Sequence, residues 1–291
     1  MVKIFSRLTF FGVSIFFLLG CGGDGIAVRV GETEIDRNFF VDWVEIRTGV
    51  EQSVSGESSL YLETASEWIN NQSIVDLLGS YGIIAKDAEI IGARESLVAS
   101  GFPQNDPRME KYSEWQATRY LAADSSIPEI KSIYEDHKEM FGHDLCTSHI
   151  LTSTRQEALD LLELLEEGQE FEALALTFSD DKASGASGGY LGCVPLGVFV
   201  AEFERAVIGA LFEIANWNGE KALKVIGPVE SRFGFHLIRI EQISSVEPLP
   251  FEYLGDNLFP RIVQIATITR EIDLDNRYGR WDRTVGQVAP N

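Results

Sequence analysis

Basic residues, cysteines and long apolar runs are all scarce in this 291-residue sequence. It has 24 lysines and arginines against 45 aspartates and glutamates, so its formal net charge is -21. A surface of that sign repels nucleic acid and anionic lipid headgroups, which argues against a nucleic-acid partner. Beyond the N-terminal segment no stretch is long and apolar enough to span a membrane, so we expect a folded body outside the bilayer. Its length suits one large or two ordinary domains.

The N-terminal segment predicts export. Two basic residues precede an apolar run, Leu8 to Leu19, which is short for a membrane-spanning helix and typical of a signal peptide. The run ends at Gly20-Cys21, which resembles a bacterial lipobox, where the cysteine is diacylated and becomes the new N-terminus. We therefore expect a signal peptide over residues 1–20, a lipid anchor at Cys21 and a tether over residues 21–25. An ordinary secretory signal with a chance cysteine is the alternative.

Residues 26–142 have the pattern of a mostly helical block. Ile26 to Val30 and residues 33–35 are β-rich and can pair through a turn, and Asp36 follows as a helix N-cap. Four more helices are predicted, over residues 60–78, from Asp87 onward with Ile90, Ile91 and Leu97 on its inner face, over residues 110–123 and over residues 128–141.

From residue 143 the predicted order is strand, helix, helix, glycine-rich loop, helix, strand, strand. Thr154 and Glu157 form a capping box that starts the first of these helices. The first strand, the loop, the last helix and the two closing strands are predicted over residues 146–153, 184–189, 200–211, 225–230 and 235–243. Residues 251–269 then return to helix with a break at Pro260, and residues 272–281 are predicted as one final strand.

Six short motifs follow one another in this mixed segment. They are Ser148-His149-Ile150-Leu151, Phe178-Ser179-Asp180-Asp181, Gly188-Gly189-Tyr190-Leu191-Gly192, Glu202-Phe203-Glu204, Gly227-Pro228-Val229 and Phe233-Gly234-Phe235-His236-Leu237-Ile238. Each motif alone is weak, but the ordered set covers about a hundred residues and resembles the parvulin family of peptidyl-prolyl cis/trans isomerases.

The flanks of this segment are similar to those of exported foldases of the SurA and PrsA type. That resemblance implies an α+β fold, in which a parvulin-like (FKBP-like) antiparallel-sheet domain is inserted into a mostly helical chaperone domain. We therefore expect the isomerase domain over residues 143–246, and the chaperone domain over residues 26–142 and 247–291. The tail before Trp281 looks like the closing strand of that chaperone domain.

The same resemblance implies the site. Its catalytic residues would be His149, Asp181, His236 and Ser231, and its proline pocket would be lined by Leu191, Phe199 and Phe203. Isomerisation of an X-Pro bond makes and breaks no covalent bond, so we expect no cofactor, no metal and no strong nucleophile. The site has to grip the prolyl ring and stabilise the twisted amide, for which an apolar pocket and a few polar groups suffice.

These residues also have purely structural interpretations. Buried histidines are often core residues, the three apolar side chains are core residues by default, and Asp181 can cap a turn. The chain also departs from the family pattern at Phe199, where methionine is usual. A second departure is an insertion at residues 211–224, which is either a client-contact loop or a surface insertion.

The two cysteines outside the lipobox, Cys146 and Cys193, remain as a pair. A disulfide persists outside the cytoplasm, and Cys193 lies on a segment expected beside the strand of Cys146. We predict a disulfide between them that stabilises the module by about 3 kcal/mol. A zinc site made from these cysteines and the histidines is the metal alternative, which the lack of a close ligand pair such as C-x-x-C disfavours.

The sequence therefore predicts a lipid-anchored, extracytoplasmic bacterial foldase. Its partners would be unfolded or partly folded exported polypeptides with X-Pro bonds, and a homodimer is compatible with the architecture. The alternative function is a holdase chaperone whose parvulin module is weak or inactive. A serine or cysteine hydrolase is set aside because the chain has neither a nucleophile elbow nor a plausible triad.

Overall fold

The computed structural model describes residues 25–51, 57–215 and 225–291. They form two units, a helical body made from both ends of the chain and a sheet-based module between those ends. The predicted α+β fold with an inserted antiparallel-sheet domain is thereby confirmed. The predicted signal peptide, the lipidation residue Cys21 and most of the insertion at residues 211–224 lie outside the described residues. No helix in the described ranges combines the length and the apolar character needed to cross a bilayer.

The two ends of the body meet in a three-stranded antiparallel sheet. Its central strand is β1 (Ile26–Val30), flanked by β2 (Thr33–Asp36) and by β7 (Ile272–Leu274). Val28 lies opposite Ile35 on one neighbour and opposite Leu274 on the other. Because β1 and β7 come from opposite ends of the chain, their pairing closes the body around the inserted module.

Helices supply most of the body. Those in the described residues are α1 (Arg37–Glu51), α2 (Glu57–Ser80), α3 (Asp87–Ala99), α4 (Met109–Ala122), α5 (Pro128–His137) and, after the module, α10 (Leu258–Thr269). An aliphatic cluster, which includes the fully buried Ile262, fills the space between α2, α5 and α10. A second cluster packs Trp43, Trp68 and Trp115 against one another, with ring centroids 5.3 to 6.0 Å apart. Burial of these two apolar clusters is what holds the body together.

The module is a four-stranded antiparallel sheet with helices on both faces. Its elements are β3 (His143–Thr152), α6 (Arg155–Glu166), α7 (Phe171–Phe178), α8 (Lys182–Gly185), β4 (Tyr190–Pro195), α9 (Ala201–Ala215), β5 (Ile226–Ser231) and β6 (Gly234–Ser245). The strand order is β4-β3-β6-β5. The predicted capping box starts α6, since Thr154 Oγ1 accepts from the Glu157 N–H and the Glu157 carboxylate accepts from the Thr154 N–H.

The structure corrects the predictions at two places inside the module. Strand β4 was not predicted, because it is an edge strand without a buried residue, contains Gly192 and ends at Pro195, so it lacks the usual alternation. The segment predicted as a glycine-rich loop begins inside a short helix, α8, which Asp181 caps by accepting from the N–H groups of Ala183 and Ser184.

Predictions for the two flanks needed correction as well. Residues 251–257 form two 3₁₀ turns, and α10 begins at Leu258 with Pro260 in its first turn. No break results, because an N–H at that position has no partner within the helix. The predicted last strand divides at a turn with Gly279 into β7 and β8 (Arg280–Asp282), which pairs with β9 (Gln287–Ala289). On α3, Ile91 is 57% exposed, so it does not belong to the inner face.

Candidate active site

Two neighbouring strands bring the predicted histidines together. His149 lies on β3 opposite Ile238, and His236 lies on β6 opposite Leu151, so the two rings project from one face of the sheet at diagonal positions. Their Nδ1 atoms are 3.0 Å apart and both side chains are buried. Neutral imidazole has one donor and one acceptor nitrogen. The other hydrogen-bond partners of the two rings therefore decide which nitrogen of each ring carries the proton.

Those neighbours are the two other predicted polar residues. The Asp181 carboxylate lies 2.9 Å from Nε2 of His149, and the Ser231 hydroxyl lies 2.7 Å from Nε2 of His236. Asp181 also accepts a 2.6 Å hydrogen bond from the hydroxyl of Ser184 on α8. The structure therefore joins all four predicted polar residues in one hydrogen-bonded chain, and adds Ser184, which sequence reasoning missed inside the glycine-rich segment.

Two pKa shifts indicate which atoms donate and which accept in this series of hydrogen bonds. The Ser184 hydrogen bond, opposed by burial and assisted by His149, lowers the pKa of Asp181 to about 2, so this carboxylate only accepts. Burial first, and then the neighbouring His149, lowers the pKa of His236 to about 4, so this ring is neutral at pH 7. Nε2–H of His149 therefore donates to the Asp181 carboxylate, and the neutral His236 ring, with one donor and one acceptor nitrogen, divides its two contacts between His149 and the Ser231 hydroxyl.

One backbone contact fixes the position of His149 in the strand. The N–H of His149 donates to the carbonyl of Gly189 at 2.8 Å. Gly189 has φ +87°, and a Cβ at this residue would lie 2.3 Å from the His149 carbonyl oxygen. Only glycine satisfies both the positive φ and the close approach, which explains the glycine at residue 189.

An apolar wall stands beside the histidine pair. Phe203 on α9 is 2% exposed, and its ring centroid lies 5.7 Å from that of His236 and 6.2 Å from that of His149. Phe199 packs on Phe203 at 4.7 Å between ring centroids. Leu191 on β4 belongs to the same apolar cluster, and it and Phe199 stay partly exposed. The three residues predicted for the proline pocket therefore lie together, with the accessible side formed by Leu191 and Phe199.

The predicted cysteine pair lies at the edge of the same sheet. Cys146 on β3 and Cys193 on β4 are directly opposite each other and are joined by a disulfide. The hydroxyl of Tyr190 lies 3.2 Å from Sγ of Cys193. This crosslink ties β4, and with it Leu191, to the strand that carries His149. Among the described residues, no three histidine, cysteine or acidic side chains cluster as metal ligands.

A buried pair of polar histidines beside an apolar wall, on a sheet of order β4-β3-β6-β5, defines the class of parvulin-type isomerases. The family described as PPIC-type PPIASE domain matches residues 147–243. The chain therefore contains a PPIC-type peptidyl-prolyl cis/trans isomerase domain, and the predicted family is confirmed.

Comparisons over more of the chain find foldases. The foldase protein PrsA of Caldanaerobacter subterraneus subsp. tengcongensis is 25% identical over 267 residues, covering 84% of this chain and 83% of that protein. Foldase protein PrsA 1 of Bacillus cereus is 33% identical over 127 residues, covering 44% of this chain and 40% of that protein. Among solved structures, PrsA of Bacillus cereus is 22% identical, with 79% and 81% coverage and a TM-score of 0.31.

Proposed function

We propose that this isomerase is a lipid-anchored, extracytoplasmic foldase, in which residues 143–246 isomerise X-Pro bonds of exported polypeptides. Residues 26–142 and 247–291 would form the chaperone domain that holds those clients. The observation that carries the proposal is the hydrogen-bonded chain from Asp181 through His149 and His236 to Ser231, beside Phe203. The similarity to PrsA foldases along most of both chains supports the wider role.

The apolar wall supplies the first requirement of the reaction. Rotation about an X-Pro bond crosses a barrier of about 20 kcal/mol, because the resonance of the amide is lost at the twisted geometry. Leu191 and Phe199 offer a partly exposed apolar surface on which a prolyl ring can bury itself, with Phe203 behind them. Holding the ring while the preceding residue turns favours the twisted amide over either planar form.

The histidine pair supplies the second requirement. The two rings are held between Asp181 and Ser231, so they present fixed polar edges beneath the twisting amide, where the developing dipole would otherwise face mobile water. Because these polar groups are already in place, they need no reorganisation while the X-Pro bond rotates. Asp181, Ser231 and the two histidines thus act as one unit, and we assign them the catalytic role together.

The proposed anchor holds the helical body at the membrane. Cys21 would carry the acyl chains and precedes β1 by only a few residues, so the body would lie at the outer surface of the cell membrane. Growth with a clickable palmitate analogue should label the wild-type chain and leave Cys21→Ser unlabelled. Labelling of that variant would contradict the anchor.

The isomerase role is tested with a proline-containing peptide whose cis form is followed by fluorescence. Wild type should accelerate the cis-to-trans step, and His236→Ala should lower kcat/KM about 10- to 100-fold. The variant removes the His236 ring from Nδ1 of His149 and from the Ser231 hydroxyl, which costs about 1–3 kcal/mol. His137→Ala is the matched control, because within the described residues the His137 ring bonds only to the Ile133 carbonyl on its own helix, so this variant should keep wild-type activity.

The holdase remains the second candidate function, since Phe199 stands where the resembling family usually has methionine. A wild-type protein that leaves the peptide rate unchanged, yet suppresses the aggregation of an unfolded client, would establish it. In that case His236→Ala should leave the suppression of aggregation unchanged.

A further inference from the structure

One buried carboxylate lies between the helical body and the proline pocket. Glu204 is on the first turn of α9, directly after Phe203, and is 3% exposed. Its Oε1 accepts from the backbone N–H groups of Gly197 and Phe199, the latter at 3.1 Å. Because Phe199 lines the pocket, this oxygen fixes the loop that carries one of the pocket residues.

The other oxygen of the same carboxylate binds the helical body. Oε2 of Glu204 lies 3.0 Å from Nη1 of Arg261 on α10, and both side chains are about 95% buried. Nη1 of Arg261 also donates to Gln264 at 2.9 Å, and the Arg261 guanidinium lies 4.7 Å above the Phe141 ring. Contacts within the body therefore fix the position of the Arg261 side chain independently of its ion pair with Glu204.

The loop itself is shared by the two units. Leu196 packs against both the aliphatic cluster of the body and the cluster behind the pocket. Gly197 has φ +112°, and a Cβ there would lie 3.3 Å from Nδ2 of Asn257 and 3.6 Å from Nη2 of Arg261. The loop from Leu196 to Phe199 therefore contacts the body through Leu196 and Gly197, and its Phe199 side chain lines the pocket.

We propose that Glu204 and Arg261 are positioning residues for isomerisation, through which the helical body sets the conformation of the proline pocket. Resting on the proposed function, this inference means that the module in the full chain is not an autonomous isomerase. The proline pocket takes its binding conformation only when α10 packs against the module. A client that moves α10 would alter the affinity of the pocket for proline by way of this ion pair.

The matched control is a second buried arginine in the same interface. Arg205 follows Glu204 on α9 and donates to Thr267 on α10 and to the carbonyls of Arg283 and Thr284 in the C-terminal hairpin. It is also buried, but its hydrogen bonds reach the body away from the pocket loop. Arg205→Met should therefore weaken the interface without moving Phe199.

The test compares Arg261→Met, Arg261→Lys and Arg205→Met in the full chain. For each we would measure the melting temperature, the affinity for a proline peptide and the separate values of kcat and KM. Both methionine variants should melt at lower temperature, because each removes one partner from buried polar contacts. Arg261→Met should in addition bind the peptide about tenfold more weakly, through KM and with kcat nearly unchanged, because the displaced loop holds the prolyl ring and not the twisting amide.

The conservative variant and the control separate positioning from stability. Arg261→Lys keeps the ion pair and should recover binding to within about threefold of wild type, while Arg205→Met should bind like wild type. Equal losses of affinity in both methionine variants, or none in Arg261→Met, would overturn the inference. Should Arg261→Met not fold, Glu204→Gln carries the same comparison, because it keeps an acceptor for the loop and loses the charge.

Failure of the proposed function is distinguishable from failure of this inference. If wild type binds the peptide but does not accelerate its isomerisation, the isomerase role fails. The affinities of the variants still decide whether Arg261 positions the pocket.

Discussion

The module and the helical body are stabilised by different kinds of interaction. At the centre of the module, polar side chains are joined in sequence from Asp181 to Ser231, and each relies on its neighbour for a hydrogen bond. The body is centred on apolar clusters, and the indole N–H groups of Trp43, Trp68 and Trp115 find no hydrogen-bond partner within the described residues. The body therefore depends on shape and burial, and the site depends on protonation and hydrogen-bond direction.

That difference predicts separate sensitivities. Removing apolar volume should damage the body most, whereas acid should act mainly on the site. The two units meet at α9, whose Ile208 belongs to the aliphatic cluster of the body while Phe203 belongs to the pocket. The experiments below ask how far each unit responds on its own.

The largest effect is expected from removing apolar volume in the body. Ile262 on α10 is fully buried in the aliphatic cluster, so Ile262→Ala should lower the free energy of unfolding by about 2–5 kcal/mol. Urea unfolding would be followed by far-UV circular dichroism and by isomerase activity. If α9 joins the units, both signals move together to lower urea. Activity that persists to the wild-type urea concentration would show that the module unfolds separately.

The disulfide is the corresponding test for the module. It closes a loop with a sequence separation of 47 residues, so Cys146→Ala combined with Cys193→Ala should cost about 2–4 kcal/mol. Reductant should destabilise wild type by a similar amount and leave the double variant unchanged. Thiol counting on denatured, lipid-free protein is the direct check, and two titratable thiols without reductant would contradict the crosslink.

Local patterns made much of the module predictable. The capping box at Thr154, the helical spacing behind it and the ordered motifs around His149 and His236 all act over short stretches of sequence, and the structure contains the elements they predict. Strand β4 was not predicted from the sequence, because it is a strand through its pairing with β3 and its own residues do not alternate. The role of Ser184 was not predicted either, because a serine in a glycine-rich segment does not indicate a site residue until the structure places it beside Asp181.

Long-range contacts made the body and its junction harder to predict. The pairing of β1 with β7 joins opposite ends of the chain, and the division of residues 272–281 depends on the partner strand β9. The ion pair of Glu204 with Arg261 spans two units, so no sequence spacing indicates it. Exposure of Ile91 likewise follows from which face of α3 meets its neighbour, which apolar spacing alone did not reveal.

Acid should act on the site before it acts on the body. Burial and the nearby His149 lower the pKa of His236 from its ordinary 6.5 to about 4, so between these values the unfolded chain binds a proton that the folded chain excludes. The contribution of His236 to stability is therefore complete above pH 6.5 and falls as the pH drops toward 4. From pH 7 to pH 5 we expect a loss of about 2 kcal/mol.

Urea unfolding at the two pH values measures this loss. His236→Asn removes the titrating group and should flatten the pH dependence, whereas Ile262→Ala should keep the wild-type dependence on a lower baseline. The pKa of Asp181 is lowered to about 2, chiefly by the Ser184 hydroxyl, so its contribution is lost only below about pH 4 and does not disturb this window. An unchanged pH dependence in His236→Asn would assign the acid sensitivity to other groups.

The smallest effect concerns a local contact that the sequence already predicts. Thr154→Ala removes the hydroxyl that accepts from the Glu157 N–H at the start of α6, which should cost about 1 kcal/mol of unfolding free energy. Thr154→Ser keeps the acceptor and should lose much less. Because α6 packs behind the sheet, away from His149 and Phe203, kcat/KM at moderate temperature should stay at the wild-type value in both variants. A lowered kcat/KM in Thr154→Ala would mean that the module transmits local helix stability to its site, and that its polar centre is less rigid than its hydrogen bonds imply.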